Sequence, residues 1–242
     1  MWQTMNAAGF LITVIVNAMA NIVKFNGKTT AEVSDAIPTL FAPAGYVFVI
    51  WGLIYALLAV FAVYQGLPRN RERNFISKIG YLFVLGSLAN VSWLFLWHYG
   101  QISLSVLPML VLFGSLAAIY LRIDIGKSDE PMVERLCVHL PFSVYLGWIT
   151  VASIANVAAA LKAAAWDGFG ISEVTWTAIV IAVALVITLI VIFKRKDIAY
   201  AAVIVWALVG IMNKQVAVQE VALAASASAI VLTVGMIAVG IR

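Results

Sequence analysis

An all-helical bundle embedded in a membrane is the fold this sequence predicts, and three observations predict it. Of 242 residues, 64% are hydrophobic and 11% charged, with a mean hydropathy of +1.04. A soluble domain cannot hide that much apolar surface. The charges gather between long apolar runs, as expected when lipid forces each helix to satisfy its own backbone. The residue-by-residue alternation of a membrane strand barrel is missing.

Eight apolar segments follow in order, at about 5–23, 44–65, 76–97, 102–121, 138–161, 175–193, 198–213 and 220–240. The first has no Lys or Arg ahead of Lys24, so it lacks the basic flank of a cleaved leader and reads as a retained helix. Asn17 and Asn21 stand one turn apart on it, an arrangement that suits hydrogen bonding between helices. The segment 24–43 is too apolar near Ile37–Phe41 for a solvated tether, and long loops of this kind tend to be functional. It is expected to fold back as a lid, with Pro38, Phe41 and Pro43 in it.

The second helix sets Phe48, Trp51 and Tyr55 at offsets of three and four, on one face. The third does the same with Asn90, Trp93 and Trp97. The fifth carries Pro141, Tyr145, Trp148, Ala152 and Asn156 along one face. Three stripes of rings, two with an added asparagine, suit a pocket for a flat, weakly polar ligand: rings supply stacking area, and amide and indole N–H groups supply orientation. Trp97, Trp166 and Trp176 lie near helix ends, and with Trp206 they read as interface anchors. The last three helices are rich in Ala, Val and Ile. The seventh is the shortest, under the about twenty residues that span a bilayer.

With the N-terminus inside, eleven cations fall on the inner side (Arg69, Arg71, Arg73, Lys78, Arg122, Lys127, Arg135, Lys194, Arg195, Lys196, Arg242). Four fall outside: Lys24, Lys28, Lys162 and Lys214. That asymmetry predicts both termini in the cytoplasm. It also accounts for the net charge of +4 without nucleic acid.

Several chemistries are disfavoured. All eleven acidic residues lie in loops or at helix ends, whereas ion-coupled transporters keep a carboxylate within the membrane. No lysine sits mid-helix for a Schiff base, and no phosphate loop, zincin helix or nucleophile elbow occurs. Cys137 is alone, and His98 and His139 are far apart, so neither a disulfide nor a metal site is expected.

These motifs resemble the translocator protein / tryptophan-rich sensory protein (TspO/MBR) family. Its second helix has a proline, a tryptophan eight residues on and a tyrosine four further, as in Pro43, Trp51 and Tyr55. Its third has Asn-x-x-Trp, as in Asn90 and Trp93. Its fifth has Trp, then Ala at plus four and Asn at plus eight, as in Trp148, Ala152 and Asn156. Val49 stands where that family usually has a second proline. Pro141 precedes Trp148 by seven residues where four is usual, so Tyr145 competes for the tryptophan's place. The cholesterol-recognition pattern is missing at Leu161-Lys162.

The resemblance covers about residues 1–165 and implies a five-helix ligand-binding module, with 166–242 a three-helix extension. It implies a binding protein for a flat apolar molecule, a porphyrin or other tetrapyrrole, acting as sensor or carrier. No cofactor is required, though porphyrin or haem would be a ligand. The partners are the lipid bilayer and that small hydrophobic molecule, with a homodimer left open, and the setting is the cytoplasmic membrane of a prokaryote. Light-dependent porphyrin degradation is a side activity of the family rather than ordinary enzymology. The rival reading is a secondary transporter of a small neutral solute, which broken helices or a half-to-half repeat would support.

Overall fold

The computed structural model describes residues 2–241; Arg242, counted above among the inner cations, lies outside them. Among the described residues all regular structure is helical. α1 (Trp2–Met19) unwinds through a π turn at Ala20–Lys24. α2 (Thr30–Asp35) is a short helix in the first loop, closed by a capping box between Thr29 and Glu32. A 3-10 turn, Gly45–Val49, leads into α3 (Ile50–Gly66).

The predicted third segment is two helices, α4 (Asn74–Ile79) and α5 (Leu82–His98). They part at Gly80, whose φ of 50° needs a residue without Cβ. Then come α6 (Ile102–Arg122), the single turn α7 (Met132–Glu134) and α8 (Leu140–Ala163). The chain ends in α9 (Glu173–Arg195), α10 (Ile198–Lys214) and α11 (Gln219–Gly240). Among the described residues six helical stretches are long and apolar enough to cross a membrane, and α5 and α10 are shorter apolar rods.

Polarity is inverted relative to a soluble bundle. Asn6, Thr13, Asn17, Asn90 and Asn156 are buried, while Leu11, Ile15, Leu107, Val186 and Ile230 are exposed on the outside. Lipid tails solvate the latter, and the buried amides find partners between helices. α8 is the axle of the fold. Every residue from Pro141 to Val151 is buried, as for a helix apolar on all sides, and α3, α6 and α10 pack around it. Gly147 lets α10 approach, since a Cβ there would lie 3.0 Å from the Tyr200 carbonyl oxygen. Buried Ala184, Ala201, Ala207, Ala225 and Ala229 let α9, α10 and α11 pack closely in turn.

Candidate functional site

The three aromatic stripes converge. Trp51 stacks on Trp93 with ring centroids 6.4 Å apart and meets Trp148 edge-on at 6.1 Å. Phe48 lies edge-on to Trp148 at 5.6 Å. These four rings, with Pro43, Ala152 and Asn156, line one internal cavity. α3 and α8 each bring one indole to it, and α5 brings two, Trp93 and Trp97.

Three expected lining residues sit behind the wall. Tyr55 stacks on Trp51 at 5.6 Å but does not border the cavity. Asn90 accepts a hydrogen bond from Asn17 Nδ2 at 2.7 Å and donates one to the Tyr145 hydroxyl at 3.2 Å. Asn90 and Tyr145 thus brace α1, α5 and α8 and do not line the cavity. They share the faces the spacing indicates, and a one-turn offset toward α1 removes them from the cavity.

Asn156 is both brace and lining. Its Oδ1 accepts from Trp93 Nε1 at 3.1 Å, and its Nδ2 donates to Ser105 Oγ at 2.9 Å. Trp148 is 2% exposed, and its Nε1–H has no hydrogen-bond partner, unlike those of Trp93 and Trp97. Buried indole N–H groups usually find one.

The first loop closes the cavity from above through Thr30, Ser34, Ile37, Thr39, Ala42 and Pro43. Of the residues assigned to the lid, Pro43 borders the cavity, whereas Pro38 is exposed and Phe41 is buried against a different opening. Trp97, expected as an interface anchor, is 5% exposed. It lines the cavity and donates to the Thr30 carbonyl at 3.3 Å. Its position near the helix end places it under the folded-back loop, away from lipid. With the loop down, only about 40 Å³ is open to the centre of a water molecule, room for a few waters at most.

The extension holds the loop. Trp206, another expected anchor, donates Nε1–H to the Val47 carbonyl at 3.1 Å and lies edge-on to Tyr46. Ala44 N donates to the Gly210 carbonyl at 3.2 Å, and Lys214 pairs with Asp35 at 2.5 Å. Gly210 is required by contact: a Cβ there would run into Val47 Cγ2. Among the described residues none of 166–241 borders the cavity itself.

Fold and cavity together define a polytopic helical membrane protein with an aromatic chamber inside the bundle. The profile of the family described as TSPO-like protein matches residues 3–238, and the chain belongs to that family. The match continues through α9, α10 and α11, well beyond the residue near 165 where the motif resemblance stops. No curated protein and no solved structure matches the chain.

Proposed function

We propose that the chamber binds a flat, apolar, weakly polar molecule, a tetrapyrrole such as protoporphyrin or haem, and that the protein acts as its sensor or carrier. The observation that carries this reading is the convergence of Trp51, Trp93 and Trp148 on one cavity under a loop. Ring faces supply stacking, and the free Trp148 N–H offers a donor to an acceptor on the ligand. Sites for ligands of this size span about 300–1,000 Å³, so the loop must lift before a macrocycle enters. In this reading residues 1–165 bind and 166–242 govern how readily the loop opens. The activity is binding, with no reaction assigned, and the setting is a prokaryotic cytoplasmic membrane with both termini inside.

The test is saturable quenching of tryptophan fluorescence by protoporphyrin, with all variants in one lipid matrix. Trp51→Ala removes stacking area worth about 1–3 kcal/mol per ring by analogy with base stacking, a loss of affinity on the order of ten-fold or more. Trp148→Phe keeps a ring and removes the N–H, and weakens binding less. Phe193→Leu, on the exposed face of α9 and outside both openings, leaves affinity unchanged. Equal effects from all three would mean that quenching reports partitioning into lipid, and the reading fails.

A further inference from the structure

A second, larger opening lies on the far side of α8. It is bounded by Leu110 of α6, by Ile154, Val157 and Leu161 on the outward face of α8, and by Trp176 and Val180 of α9. Its free volume, about 580 Å³, falls within the range of built ligand sites, about 300–1,000 Å³. Leu110 is 50% exposed, Val157 38% and Leu161 37%, so the opening faces the hydrocarbon around the bundle. Ser153 also borders it, and its buried Oγ has no hydrogen-bond partner.

The mouth is polar and carries both signs of charge. Lys162, Asp167 and Glu173 stand at it, close to Trp166 and Trp176. Lys162 Nζ pairs with Glu173 at 2.6 Å, and Glu173 Oε1 accepts from Leu40 N at 3.2 Å. One cation and two carboxylates give a net negative rim, which repels an anionic ligand. The same rim matches a headgroup with a phosphate for Lys162 and an amine for the carboxylates.

We propose that this crevice is a lipid-binding site that takes one acyl chain of a zwitterionic phospholipid, with the headgroup at Lys162, Asp167 and Glu173. The site is separate from the aromatic chamber, and its claim does not depend on what the chamber binds. The two share one wall residue, Thr39, and Glu173 holds the neighbouring Leu40. A seated lipid therefore props the base of the loop that closes the chamber.

The experiment uses the full chain in vesicles doped with phosphatidylethanolamine that carries a diazirine on one acyl chain, with adducts mapped by peptide mass spectrometry. Adducts should concentrate between Ser153 and Val180. Excess unlabelled phosphatidylethanolamine should suppress them, and the same excess of anionic phosphatidylglycerol should suppress them several-fold less. Ala158→Trp and Val180→Trp fill the crevice from opposite walls, and either should cut the yield about ten-fold while labelling of the outer faces at Ile15 and Ile230 stays constant. That constant labelling, with an unchanged melting temperature, shows that the variant is folded. Even labelling over all exposed faces, equal competition by both lipids, or unchanged yield in a folded blocking variant would overturn the site.

Discussion

On one side of α8, the rings of Trp51, Trp93 and Trp148 crowd a cavity down to a few waters' worth of space; on the other, the same helix borders an opening more than ten times larger. The inner wall is built from indoles keyed by amides, with Asn156 holding Trp93. The outer wall is built from Ile154, Val157, Ala158 and Leu161, which meet lipid and hold nothing in register. Ring area does not make free space. The inner chamber is walled by rings and is shut, so the proposed ligand would enter only if the loop moved. The outer crevice is open and needs no motion.

The largest effect expected is all or none. Both cavities lie at the end of the bundle that carries Lys24, Lys28, Lys162 and Lys214, the end that the charge asymmetry predicts to lie outside. Single cysteines in 24–43 and in 66–74, in a background lacking Cys137, should react with an impermeant reagent from opposite sides of intact cells. Equal reaction would invert or dissolve the shared orientation of the two openings.

Next in size is Gly210→Val. The added side chain meets Val47 and Pro43, and overpacking of this kind costs about 1–3 kcal/mol. The melting temperature should fall and protoporphyrin quenching should become faster, because the shut chamber loses its clasp. Gly52→Ala, with nothing within 4 Å, is the matched control. A Gly210 variant that melts and binds like the parent would show that the extension does not hold the loop. Trp206→Phe tests the same clasp more gently. It removes one hydrogen bond to Val47, worth about 0.5–1.5 kcal/mol, and should give a smaller change of the same sign.

The smallest effect concerns α2 in the loop. The hydrogen bond from Lys24, then that from the Thr29 backbone, holds the Glu32 carboxyl down at about 2 from an ordinary 4.5. A depressed carboxylate stabilises the fold above its unfolded value and loses that contribution as pH falls through its folded one. Hydrogen-exchange protection of residues 29–36 should therefore hold steady down to about 4.5 and decline as pH approaches 2. Protection that ignores this window would separate the capping box from the stability of the loop.

The helices were readable because apolar runs and charge clusters are local signals. Trp51, Trp93, Trp148 and Asn156 were readable as site residues because offsets of three and four fix a shared face whatever surrounds it. The same rule could not separate lining from bracing: Asn90 and Tyr145 lie on the right faces and are turned aside by α1. Trp97 looked like an anchor because helix ends usually meet the interface, and the path of the first loop buries it; Trp206, also read as an anchor, is tied by its indole N–H to the turn before α3. The bond between Trp206 and Val47 joins positions 159 apart and leaves no periodic trace. The outer crevice is framed mainly by ordinary aliphatic residues, so its only sequence signal was the pair Trp166 and Trp176, which read as anchors.

The Asn17–Asn90–Tyr145 chain has a consequence for rotation. Helices in lipid associate without a hydrophobic drive, and one alkyl face packs about as well as the next. A bundle held by alkyl contacts alone could let α1 or α5 turn about its own axis at little cost. Two amides and a phenol allow a single angular setting, because any turn of α5 strands a buried dipole. That setting aims Trp93 at Trp51. Residues outside the cavity therefore fix the angle at which its indoles face one another, much as a keyway fixes a wheel to its shaft.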